Sequence, residues 1–159
     1  MIQKTALLAI SFIDFFYQKK IIEFLKKRKI KKINIFFDVG AHKGESINFF
    51  LKNFKIKKII SFEASKINYN YLLSKEQILK NKFKNSEIHI ENIALGAKNK
   101  KVFFKQFEES SSSTIKEINK KSEYYKRKFK LLNFWGNKKI YQKFRINIKK
   151  LSDYIKKKK

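Results

Sequence analysis

Phe37-Asp38-Val39-Gly40-Ala41-His42-Lys43-Gly44-Glu45-Ser46 runs from an apolar strand end through a glycine-spaced turn into the start of a helix. Upstream of it, Ile33 to Val39 is almost continuously apolar with β-branched residues, the pattern of a strand buried on both faces. Nineteen residues past Gly44, Glu63 closes a second such run, Lys58-Ile59-Ile60-Ser61-Phe62-Glu63. A close turn, a helix that opens with free N–H groups and an acid at the next strand end are how an α/β sheet holds a nucleoside-bearing ligand, the acid accepting hydrogen bonds from ribose hydroxyls.

Outward from this stretch the alternation continues. Glu45 to Asn53 has Ile47, Phe49, Phe50 and Leu51 at helical spacing, and Ile56 to Phe62 is the next apolar run. Ile67 to Leu79 reads as one helix with Tyr71, Leu72, Ile78 and Leu79 on its inner face, and Glu87 to Ile90 as a short third strand. Strand, helix, strand, helix, strand is half of a doubly wound sheet, so the fold class is α/β and Rossmann-like. Right-handed crossovers set the three strands parallel, with the glycine turn, Glu63 and Asn92 at their carboxyl ends. Beyond Gly96 the pattern becomes a β-rich C-terminal extension. Lys101 to Phe107 and Ile140 to Ile148 read as strands, Ser110 to Thr114 as a hydroxyl-rich loop, and Glu117 to Lys130 as a charged helix or flexible stretch. The division is an N-terminal helix with a basic connector (1–32), the incomplete sheet domain (33–155) and a lysine tail (156–159). Such a sheet is expected to keep one unpaired edge and exposed apolar surface unless the segment from Lys101 to Ile155 folds over that edge or a partner covers it.

With 159 residues, 43% of them hydrophobic and seventeen Phe, the chain is one packed domain rather than a disordered one. It has no cysteine, which excludes disulfides, thiolate metal sites and a thiol nucleophile; no metal-ligand set is expected. The formal charge of +27 invites a nucleic-acid reading, yet of 40 basic residues only Arg28, Arg127 and Arg145 are arginine. Specific phosphate and base readers lean on arginine's bidentate fork. Lysines spread along the whole chain beside Ile, Asn and Phe point to A/T-rich coding bias, so no specific nucleic-acid partner is expected, only weak attraction to polyanions or anionic membrane. The segment Ala6 to Phe16 is too short to span a bilayer and is interrupted by Asp14. Continued through Ile21, Ile22 and Leu25, its apolar residues recur at helical spacing. That fits an amphipathic helix packed on the domain; an interfacial membrane helix with the lysines from Lys19 to Lys32 on lipid head groups, and a targeting signal, are the alternatives. A cytoplasmic setting is the default.

A dinucleotide turn carries G-x-G-x-x-G, its middle glycine admitting a pyrophosphate. Here His42 stands at that position, which disfavours nicotinamide and flavin cofactors. A cofactor without phosphate, such as S-adenosylmethionine, needs the close turn and the ribose-binding acid alone. F-D-V-G-A-H-K-G-E-S at Phe37 to Ser46, S-F-E-A-S at Ser61 to Ser65 and N-I-A-L-G at Asn92 to Gly96 together resemble the FkbM family of S-adenosylmethionine-dependent methyltransferases. The serine-rich loop and K-L-S-D-Y-I ending at Ile155 are weaker echoes.

The resemblance implies a class I methyltransferase fold and cofactor contacts from Asp38, Gly40 and Gly44 to the methionine and ribose portions. It further implies Glu63 on the ribose hydroxyls, and Asn92 and Ala94 beside the adenine. Ala64 departs from the proline usual after the acid. The family's next strand, with a K-I-D-x-E-G-like motif, has no counterpart before the terminal lysines, so the chain resembles the amino-terminal portion of the domain, as from a truncated reading frame. The implied reaction is O-methylation of a hydroxyl on a sugar or small metabolite, with a small-molecule or glycan acceptor. The alternatives are a cofactor-binding remnant without turnover, and a basic nucleic-acid-binding protein or RNA methyltransferase. No catalytic residue stands out. His42 is a weak candidate base beside its reading as a locally hydrogen-bonded loop residue, and His89 reads as a core or sheet-face residue. Asp38 has a second reading as a helix cap, and Glu45 reads as a first-turn acid favoured by the helix dipole. Trp135 is a packing residue or, less simply, a sugar platform.

Overall fold

Apolar strands too short to stand alone and amphipathic helices with one apolar stripe bury each other best as a parallel sheet crossed by helices. The computed structural model of the chain has this arrangement and describes residues 16–107, 113–123, 125–127 and 141–158. Helix α1, over 16–27, leads to β1 (Lys32–Val39); α2 (Glu45–Asn53) crosses to β2 (Lys55–Phe62), and α3 (Lys66–Ser74) with α4 (Glu76–Lys82) crosses to β3 (Glu87–Glu91). These strands form a parallel sheet in the order β1-β2-β3, with Asp38 opposite Ser61 and Phe62 opposite Glu91.

One face of the sheet is covered by the crossover helices. Ile47, Phe50 and Leu51 of α2, Leu72 of α3 and Leu79 of α4 pack against Ile56, Ile59 and Ile88, and α1 joins them through Ile22 and Leu25. The inner face proposed for Ile67 to Leu79 is narrower than expected. The helix divides at Lys75, whose N–H bonds back to Leu72 O at 3.0 Å, and of the four expected residues only Leu72 and Leu79 turn inward, with Asn68 buried one turn before Leu72. Tyr71 and Ile78, each one position or about 100° round the helix, are exposed. Ser65 starts α3 as its N-cap, its Oγ accepting from Asn68 N at 3.2 Å.

The C-terminal extension is β-rich and makes a second sheet. In the order β4-β6-β5, β4 (Ala94–Leu95) lies parallel to β6 (Tyr141–Lys149), and β5 (Lys100–Phe107) antiparallel to it. After β6, α5 (Leu151–Lys157) lays Leu151 and Tyr154 against Ile60, Phe62 and Ile93 on the first sheet's other face, with Tyr154 edge-on to Phe62 at 5.1 Å. Lys156 and Lys157, assigned to a tail from the sequence, are the last residues of that helix. The cover is partial: Ile35 and Val39 of β1 remain 54% and 62% exposed. Among the described residues both β1 and β3 pair only with β2, so this sheet has two free edges where one was expected.

Thr114 is bridged to Lys105, and the buried Lys105 ammonium pairs with Glu117 at 2.8 Å and Lys116 O at 3.0 Å, pinning the chain after the serine loop to β5. The stretch from Glu117, read as a charged helix or flexible segment, has helical residues only at 123 and 125–127 among those described. The expectations for 1–15, for 110–112 of the serine run, for 128–130 and for Trp135 lie outside the described residues.

Candidate functional site at the carboxyl rim of the parallel sheet

The turn after β1 takes the left-handed backbone three times in five residues, at Gly40 (φ 81°), His42 (φ 49°) and Gly44 (φ 87°). Glycine takes this conformation without penalty, and histidine is among the side chains that tolerate it best. At Gly44 the conformation rather than space excludes a side chain, since a Cβ there would meet Ile47 and Leu72 at an ordinary 3.6 Å.

The turn's amides are all engaged inside the protein. Gly40 N and Ala41 N donate to Phe62 O at 2.9 and 3.1 Å, and Gly44 N to Ala41 O at 2.8 Å. His42 N donates to Glu63 Oε2 at 2.8 Å and Lys43 N to Glu45 Oε2 at 3.1 Å. A phosphate cradle needs free N–H groups pointing outward, and this turn offers none.

Glu63 is buried and ties two loops together. Its second oxygen accepts from Ser65 N at 2.7 Å, its own N–H donates to Glu91 O at 3.0 Å, and its carbonyl accepts from Asn92 Nδ2 at 2.9 Å. Ser65 Oγ donates to the buried Gln106 Oε1 at 2.6 Å, so a hydrogen-bonded chain runs from β5 through Ser65 and Glu63 to the glycine turn. By lone-pair count each carboxylate oxygen can accept one bond more.

Asp38 is also buried. Its Oδ2 accepts from Ser46 Oγ at 2.8 Å and Ser61 Oγ at 3.4 Å. Burial raises its carboxyl above the ordinary aspartate value against the pull of these hydroxyls, and Glu45 and Glu63 add to the rise. The cap of α2 is Gly44, with no side-chain hydrogen bond, so Asp38 holds a serine hydroxyl of the first turn rather than a helix amide. Burial pushes Glu45 up as well, but bonds from His42, its own amide and Lys43 N outweigh it and leave that carboxyl below its usual range. His42 Nδ1 lies 3.2 Å from Glu45 Oε1, so the one candidate base is bonded on that nitrogen.

Asn92 anchors the loop after β2, with Ala64 O as a second acceptor at 3.4 Å, and Ala94 is a β4 residue paired with Ile148. His89 sits in the body of β3, half exposed, 3.7 Å from Glu87 Oε2 and off the rim. Beside the end of β3 a groove of about 840 Å³ is lined by Glu91, Asn99, Asp153, Tyr154 and lysines; it touches none of Asp38, Gly40, Gly44 or Glu63. Tyr154 Oη donates to Glu91 Oε1 at 2.7 Å, and burial, then this bond and Glu91's charge, push the phenol well above its usual value.

Sequence reasoning missed Ser61, Ser65, Gln106, Glu91 and Tyr154. Ser65, a serine directly before an amphipathic run, carried an N-cap signal. The Ser65–Gln106 bond spans 41 residues and had none. Among the described residues no group of three His, Asp or Glu could hold a metal ion, and no helix is long and apolar enough to cross a membrane. No family model, curated protein or solved structure matches the chain.

Proposed function

We propose that this chain binds S-adenosylmethionine at the carboxyl rim of its parallel sheet, and that it is a cytoplasmic methyltransferase of the FkbM type its motifs resemble, acting on a hydroxyl of a sugar or other small metabolite. One observation carries the reading. In a chain with 40 basic and 13 acidic residues, each of the three parallel strands has an acid within one residue of its carboxyl end: Asp38 in β1, Glu63 directly after β2 and Glu91 in β3, the last of them paired with Lys158 at 3.3 Å. With the turn's donors engaged, such a rim favours a ligand that donates hydrogen bonds or carries positive charge, and disfavours a pyrophosphate. S-adenosylmethionine offers both, as a ribose diol, an ammonium and a sulfonium. Its methyl carbon is already electrophilic, so the protein's part is to orient it towards an acceptor oxygen.

In this reading Glu63 uses its remaining lone pairs for the ribose hydroxyls, the Gly40–Gly44 turn lets the ligand approach the backbone, and Asp38 holds Ser46 and Ser61 behind that turn. A second reading, binding without turnover, draws on the engagement of His42 with Glu45 and on the open outer edge of β1, which leaves the acceptor side unwalled among the described residues. Thermal melting of the whole chain with S-adenosylmethionine or with NAD tests the proposal. At about a hundredfold excess over Kd, a ligand stabilises by about 2.7 kcal/mol, which is a rise of roughly 5–10 °C for a domain of this size. That rise is expected with S-adenosylmethionine and absent with NAD. No rise, or an equal rise with NAD, overturns the reading. A rise without methyl transfer to hydroxylated acceptors favours the second reading.

A further inference from the structure

Helix α1 has two apolar faces, and the core uses only one. Ile22 is buried and Leu25 packs beside it. Round the helix, Tyr17, Ile21 and Phe24 are 64%, 48% and 53% exposed. At about 100° per residue, positions 17, 21, 24 and 28 fall within a sector of about 60°, so these three and Arg28 make one continuous stripe. Arg28 closes it, its guanidinium 4.5 Å from the centre of the Phe24 ring, and Lys20 reaches over Tyr17 at 5.8 Å. The connector that follows reads K-K-R-K-I-K-K from Lys26 to Lys32, and the only acid between Tyr17 and Lys32 is Glu23.

An exposed aromatic and aliphatic stripe bordered by cations is the form of a helix that lies in a bilayer interface. The apolar face enters the acyl boundary while lysines and arginine stay with head-group phosphates. We propose that α1 docks this protein on anionic lipid bilayers, with Tyr17, Ile21 and Phe24 immersed and the cations of 19–32 on the phosphate layer. The charge of the helix and its connector complements such a surface, each cation near it adding to the attraction. A nucleic acid would meet the same charge, but phosphate tracking gives no use for an exposed isoleucine. The proposal is independent of what binds at the sheet's rim.

The whole chain is sedimented with vesicles of phosphatidylcholine containing 30% phosphatidylglycerol and with pure phosphatidylcholine. Expected is binding to the anionic vesicles that falls tenfold or more in Ile21→Ser/Phe24→Ser, which keeps every charge, while Lys101→Ser/Lys149→Ser on the second sheet binds within twofold of the parent. Because the chain has no cysteine, Ile21→Cys accepts a single environment-sensitive fluorophore. A blue shift of that probe on anionic vesicles, absent for Lys101→Cys, reports immersion even if the serine variant folds poorly. Vesicle binding unchanged by the serine pair, a probe that stays in water, or tight binding to a single-stranded RNA that depends on Ile21 and Phe24 overturns the proposal.

Discussion

Asp38 carries its charge at a cost. Its folded carboxyl titrates above the unfolded value, so between those two values the native state binds more protons than the unfolded one. Stability from this group is therefore full below the ordinary aspartate range and declines as pH rises through the raised value. Glu45, with its carboxyl lowered, works the other way, stabilising above the ordinary glutamate range and losing that as pH falls. Asp38→Asn keeps an acceptor for Ser46 and Ser61 and removes the titration. Urea unfolding is expected to show it at least as stable as the parent at pH 7, with a shallower decline as pH rises above the ordinary aspartate range. Asp38→Ala leaves the fully buried Ser61 hydroxyl without this acceptor and should cost about 1–3 kcal/mol. An Asp38→Asn chain less stable than the parent at pH 7 contradicts the burial account. The position of Asp38 was readable from its place at a strand end before two glycines, but its partners were not: Ser46 is near in sequence, whereas Ser61 meets it only through the β1–β2 register.

At the scale of elements, β2 was legible because burial on two faces leaves a continuous apolar signature, and α2 because Ile47, Phe50 and Leu51 share one stripe; β1 carries the same apolar run but, as an edge strand, leaves Ile35 and Val39 exposed where burial on both faces was expected. The break at Lys75 was not legible, since neither Gly nor Pro marks it. N-I-A-L-G shows a motif whose residues were seen but whose structural work was not. Asn92 bonds Glu63 O, Ile93 is buried under α5, Ala94 and Leu95 form β4, and Gly96 N donates to Lys149 O at 3.0 Å. This segment joins the two sheets, whatever it also offers a ligand. A Cβ on Gly96 would stand 2.7 Å from Ile148 Cγ2, a branch methyl that cannot swing away from its backbone. Gly96→Ala is expected to destabilise by about 1–3 kcal/mol through overpacking, and in an Ile148→Ala background that penalty should vanish. Equal penalties in the two backgrounds, measured by denaturant titration, place the strain elsewhere.

At the scale of the whole molecule, charge and edge oppose each other. Lysines occupy the starts of β1 and β2 at Lys32 and Lys55, yet from Ile33 to Val39 the only ionisable side chain is the buried Asp38. Edge strands are commonly protected by a lysine on the strand itself. On β1 a lysine stands only at the first residue, Lys32, and among the described residues Ile35 and Val39 are left exposed further along it. The net charge of +27 opposes pairing of copies along this edge, through a long-range repulsion that salt screens. The Debye length falls from about 10 Å at 0.1 M to about 3 Å at 1 M. Sedimentation velocity is therefore expected to show monomer at low salt and growing association towards 1 M. Ile35→Lys should suppress the association with little change in monomer stability, because the site is already open to water. Ile78→Lys adds the same charge at an exposed apolar position on α4, away from the edge, and should leave the association largely in place. Equal suppression by both variants would mean that net charge alone governs assembly, and the free edge of β1 would then have no part in it.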